Sequence, residues 1–128
     1  MIKTKWILAK IEDTDGLRIL VVSRLTLNDG ITPDKRIKPN RYNLYRKDLS
    51  PSDKLVGDYY KRGLSFTDFE KRFHIEMKDN KFLRSLAKLA LTQNITFLCK
   101  EKKPDKCHRK LLAEICKILQ PKLKTQIK

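Results

Sequence analysis

Within eleven residues the chain places Cys99, Glu101, Cys107, His108 and Arg109. Four roles fit this set. As a helix start, the Cys107-His108-Arg109 step offers free amides and a partial positive charge to an anion. Lys106 and Lys110 add charge around it. As a reactive thiol, Cys107 beside Lys106 and Arg109 is expected to ionise more easily than a free cysteine. Glu101 is then the candidate acid or base. His108 is a poor base for Cys107, because successive residues of a helix point about 100° apart. Cys99 is a candidate resolving thiol if the two Cα atoms lie within about 7 Å. As a metal site, Cys99, Cys107 and His108 supply three ligands, with Glu101 or His74 as a fourth. The spacing C-x7-C-H matches no zinc pattern and there is no C-x2-C, so no metal and no cofactor is expected. As plain structure, Asp105 caps the helix and Cys99 and Cys116 are small core residues.

These residues need elements to position them. Residues 95–99 read as a strand, and 106–119 as a helix with Leu111, Leu112, Ile115, Ile118 and Leu119 on one face. Residues 17–22, Leu-Arg-Ile-Leu-Val-Val, read as a buried strand after the Asp15-Gly16 turn. Residues 5–9 read as a shorter one. Between about 25 and 50 lies a long basic loop with Tyr42 and Tyr45 among its arginines, a length that marks a functional or mobile segment. The tyrosines can stack bases or anchor packing. Ser50-Pro51 and Ser65 read as starts of two helices, with Phe66, Phe69, Phe73 and Met77 as the stripe of the second. A third helix follows from about Asn80. Beyond Pro121 a frayed basic tail is expected.

The order β-β-loop-α-α-α-β-α predicts one α/β domain over residues 1–120, a three-layer αβα sandwich with a small, mainly parallel sheet. Ligands of open α/β sheets bind beyond the carboxyl ends of the strands. If strands 17–22 and 95–99 are parallel neighbours, Arg24, Glu101 and the Cys107–Arg109 turn converge there, and Arg24 and Arg109 clamp a phosphate from two sides. The candidate ligand-binding residues are therefore Arg24, Cys99, Glu101, Lys106, Cys107, His108 and Arg109. A salt bridge from Arg24 to Glu101 or to the chain terminus is the competing structural role.

Charge supports an anionic partner. Thirty Lys and Arg against 15 Asp and Glu give +15 on 128 residues. Residues 100–128 hold ten basic against three acidic side chains, and residues 31–49 hold six against two. Such clustering attracts polyanions, although a lysine-rich solvated surface, as in proteins from hot environments, has the same composition. Three cysteines without a leader-like segment suggest reduced thiols in the cytoplasm. No apolar run is long enough to span a membrane. A Gly-rich phosphate loop and a G-x-S-x-G turn are both missing, and four unclustered glycines exclude a dinucleotide fingerprint.

Several spaced segments carry a resemblance: Arg18 to Leu25 as R-I-L-V-V-S-R-L, Lys47 to Ser52 as K-D-L-S-P-S, Phe69-x-x-x-Phe73, and Ile95 to Cys99 as I-T-F-L-C. Together they resemble the domain-of-unknown-function 488 (YeaO-like) family. The Cys99-x-Glu101 and Cys107-His108-Arg109 pair is similar to the ending of one of its branches. Ser23 stands where that pattern has Asp, residues 26–30 replace W-P-R-G, and Phe73 replaces Tyr. The resemblance implies an α/β domain and leaves the activity open. The expected function is a binding module for a phosphate-bearing ligand, a nucleotide or nucleic acid. The alternatives are an enzyme using Cys107 with Glu101 or His108, and a non-catalytic interaction protein.

Overall fold

The computed structural model describes residues 1–128. Its sheet is built from β1 (Ile2–Trp6), β2 (Leu17–Leu20), β3 (Leu44–Tyr45), β4 (Ile95–Cys99) and β5 (Thr125–Ile127) in the order β3-β2-β4-β1-β5. Every pairing is parallel. Four helices complete the fold: α1 (Asp53–Lys61), α2 (Phe66–Met77), α3 (Lys81–Leu89) and α4 (His108–Leu119). The α/β fold expected from the sequence is present, and its sheet has no antiparallel member.

The connections explain the layers. The β3-to-β4 link through α1, α2 and α3 and the β4-to-β5 link through α4 step across the sheet in one direction. Right-handed crossovers put both on the same face. The β1-to-β2 and β2-to-β3 links step the other way and cover the opposite face with irregular chain. That chain includes the 3-10 turns Asp13–Asp15 and Pro39–Arg41. The helical side is apolar: Phe73, Leu83, Leu86, Leu111, Leu112 and Cys116 pack on Ile19, Ile95 and Phe97.

The irregular side buries charged groups beside Leu20 and Leu98. Lys3, Lys5 and Arg18 point there, and all three pair with Asp15, which has no exposed surface. Burial alone would raise the Asp15 pKa. The bonds from Lys5, the Glu12 amide and Lys3 outweigh burial and hold it far below the usual carboxylate range. Two buried lysines in β1 obscure its apolar alternation, so the strand expected over residues 5–9 lies three residues earlier.

The helix starts follow local chemistry. Ser65 and Asn80 accept from the Asp68 and Leu83 amides, as their positions suggest. The expected Ser50 cap is replaced by Ser52, which accepts from the Leu55 amide. Ser50 precedes Pro51, which disfavours helical backbone there, and it instead closes the 3-10 turn Lys47–Leu49. The tail after Pro121 is not frayed: Leu123 is buried and β5 pairs with β1. Within the long loop, Leu44–Tyr45 adds an edge strand, and Asp34 binds both Arg36 and Lys100. No helix is long and apolar enough to cross a membrane.

Candidate functional site

β2 and β4 are parallel neighbours, with Leu20 beside Leu98. Their carboxyl ends therefore open at the same place. There lies a cavity of about 610 Å³. Its walls come from Val22 to Arg24 after β2, Lys100 and Glu101 after β4, the start of α4, and Tyr59 to Lys61 of α1. Of the seven sequence-predicted ligand residues, Arg24, Glu101, Lys106, Cys107 and His108 line it. Cys99 lies at the end of β4, fully buried, against the His108 ring.

Arg109 does not reach the cavity. It is completely buried. Its Nη1 donates to the Glu101 carbonyl at 2.7 Å, its Nη2 to Lys102 at 3.2 Å and Lys128 at 3.1 Å, and its Nε to Lys128 at 3.2 Å. The side chain is a strut that ties the segment after β4 to the end of the chain. The two-sided clamp expected from Arg24 and Arg109 is therefore absent. Arg24 makes no ion pair to Glu101 or to the terminus; its closest polar contact is the Asn28 carbonyl at 3.5 Å.

The start of α4 is the chemical centre. Cys107 is its N-cap, with extended backbone (φ −116°, ψ 140°) and no side-chain cap bond. Asp105 does not cap the helix as the sequence suggests. The 100° argument separating Cys107 from His108 also lapses, because a cap residue lies outside the helical spiral. Cys99, Cys107 and His108 bring their sulfur and nitrogen atoms within 4.8 Å of one another. His108 Nε2 donates to the Val21 carbonyl at 2.5 Å, and Cys99 Sγ lies 3.4 Å from Nε2 and 3.8 Å from Nδ1. Cys107 Sγ lies 3.4 Å from a Glu101 carboxylate oxygen. The other candidate histidine, His74, is not in this cluster.

Electrostatics differ among the three thiols. The Cys99 thiol as donor lowers the Cys107 pKa, and although burial opposes it, the charges of His108 and Arg109 keep Cys107 well below an ordinary thiol. Burial and the Cys107 thiolate push Cys99 up. Burial pushes Cys116 up to about 12, which makes it inert. Glu101 shows solvent-accessible surface, yet crowding of its carboxyl by protein, reinforced by the Cys107 charge, raises its pKa. Burial acts to lower His108, but Cys107, the Val21 carbonyl and Glu101 prevail and raise it.

Sequence reasoning missed the α1 contribution. Tyr60 and Lys61 carry no motif, and they enter the site only because α1 folds across the strand ends. Tyr59 and Phe69, with ring centroids 5.1 Å apart, belong to an aromatic stack that continues through Phe73 to the His108 ring. The apolar stripe of α2 read from the sequence thus also backs the site.

A family model described as the active DUF488-N3 subclade matches residues 2–119, so the chain belongs to the DUF488 family. No curated protein and no solved structure matches it.

Proposed function

We propose that this DUF488 protein binds a phosphate-bearing ligand, a nucleotide or a nucleic-acid end, in the cavity at the carboxyl ends of β2 and β4. The observation that carries this reading is the set of unpaired cations there. Arg24, Lys61 and Lys106 line the cavity, and none of them has an ion-pair partner within the protein. Lys100 is already engaged by Asp34 and the Thr26 carbonyl. Three unneutralised cations around a concave site attract an anion with several acceptor oxygens. The apolar wall of Val22, Val56, Tyr59, Tyr60 and Phe69 suits the flat face of a base or sugar.

A second reading, that the protein acts chemically on that ligand, is favoured by the contact of Cys107 Sγ with the Glu101 carboxyl at 3.4 Å inside the same cavity. The word "active" in the family description agrees with it.

Calorimetric titration of a mononucleotide tests the primary reading. Each charge-assisted phosphate bond contributes roughly 1.5–3 kcal/mol, so Arg24→Ala and Lys106→Ala should each weaken binding about tenfold or more. Affinity should fall as salt rises. Equal affinity for wild type and both variants would refute the proposal.

A further inference from the structure

Glu101, Cys107 and His108 at the cavity wall, with Cys99 buried behind them, have a geometry that proton chemistry alone does not require. Tetrahedral zinc holds sulfur at about 2.3 Å and nitrogen or oxygen at about 2.0–2.2 Å. Atoms sharing such an ion therefore lie roughly 3.3–3.8 Å apart. Cys99 Sγ lies 3.8 Å from His108 Nδ1, and Cys107 Sγ lies 3.4 Å from the Glu101 oxygen. The two sulfurs and a His108 nitrogen lie within 4.8 Å of one another, a spread that a bound ion would tighten.

The surroundings match as well. A metal-binding histidine commonly donates its other ring N–H to a carbonyl or carboxylate, which fixes the tautomer. Here Nε2 donates to Val21, which leaves Nδ1 as the ring nitrogen with a free lone pair; Cys99 Sγ lies beside the ring, 3.4 Å from Nε2 and 3.8 Å from Nδ1. Cys99 and Cys107 are buried at the end of β4 and the cap of α4, both fixed by backbone bonding. Glu101 instead has exposed surface and faces the cavity.

We infer that Cys99, Cys107 and His108 form a binding site for zinc or a similar borderline-soft divalent ion, with Glu101 over a replaceable fourth position open to the cavity. Three protein ligands plus one open position is the arrangement of catalytic rather than structural zinc. The open position faces the cavity assigned above to a phosphate-bearing ligand, and in that one respect the inference rests on that assignment. The C-x7-C-H spacing escapes the usual zinc patterns because the two cysteines come from the end of a strand and a helix cap. Soft thiolate donors favour zinc over magnesium or calcium.

The test uses the full chain, reduced and stripped with a chelator. Cobalt(II) titration should give one equivalent of binding, with thiolate charge-transfer absorption and the intense visible bands of tetrahedral cobalt. Zinc should displace it. Cys99→Ser and Cys107→Ser should each weaken binding by more than the roughly 10–100-fold that loss of an outer partner costs. Glu101→Gln should keep the charge-transfer band and shift the visible bands. If the serine variants do not fold, alkylation of the wild-type chain decides: one equivalent of zinc should block labelling of Cys107, with buried Cys116 unlabelled throughout. No charge-transfer absorption, or Cys107 labelling unchanged by zinc, overturns the inference. Mononucleotide titration of the metal-free protein separates the two ideas, since a bound nucleotide without metal binding removes only the metal site.

Discussion

Arg109→Ala removes the only group that satisfies three backbone carbonyls at once. The guanidinium has no exposed surface and makes four hydrogen bonds, to Glu101, Lys102 and Lys128. Leaving a buried acceptor unpaired costs roughly 1–3 kcal/mol, and the truncation also leaves a cavity. Because Lys128 is exposed and its oxygen also accepts from the Thr4 hydroxyl, part of the loss is repaired. The expected cost is about 4 kcal/mol, a large share of the roughly 5–15 kcal/mol that holds a domain folded. With a urea m-value of about 1–3 kcal/mol/M, the unfolding midpoint should fall by about 2 M. Arg109→Lys keeps the charge but not the fork, so it should lose roughly half as much. It should also bind a mononucleotide as the wild type does, because Arg109 lies outside the cavity. A midpoint shift below about 0.5 M for the alanine variant would refute the strut. Loss of ligand binding in a folded Arg109→Lys variant would restore the clamp.

Two other substitutions test the frame. Asp15→Asn leaves Lys3 and Arg18 buried without a counter-charge and Lys5 with Glu12 alone, and should cost roughly 3–5 kcal/mol by urea unfolding at neutral pH. Because the folded pKa of Asp15 is depressed, its stabilisation is present above the ordinary aspartate range and is lost as pH falls from about 4 towards the folded value. The acid side of the wild-type stability curve should therefore be steeper than that of Asp15→Asn, and parallel curves would contradict the buried cluster. Gly16 has φ 62° and lies against the Asn94 backbone, so an added Cβ meets the Asn94 carbonyl directly. Gly16→Ala should cost roughly 2–4 kcal/mol through strain and the weakened Leu17–Asn94 bond; a neutral result in thermal melts would show that the turn relaxes freely.

Much of the frame is legible before folding. β4 over 95–99, the Ser65 cap and a helix from about Asn80 follow from β-branched runs, cap residues and 3.6-residue stripes. Strand–helix alternation predicts a mainly parallel sheet; that β2 and β4 are neighbours, which assembles the cavity, enters the sequence reading only as a condition and comes from the fold. What stays hidden has physical causes. β3 and β5 are two and three residues long, and β5 is exposed along its length, so neither shows a pattern. β1 carries two lysines that look like solvent contacts until Asp15 is folded over them. Arg109 reads as a ligand group because its sequence neighbours are polar; only tertiary structure shows the carbonyls that consume it. His108 reads as pointing away from Cys107 because the sequence suggests a helix from residue 106, two residues before its actual start at His108.

Backbone amide NMR during titration with inorganic phosphate, then with a mononucleotide, tests the ligand site most directly. Saturable shifts at Arg24, Lys61, Glu101, Lys106 and Cys107, with His108 moving at the same half-saturation, are expected. Silence at these amides, or unsaturating drift spread over the surface lysines, would contradict a formed anion site at the strand ends.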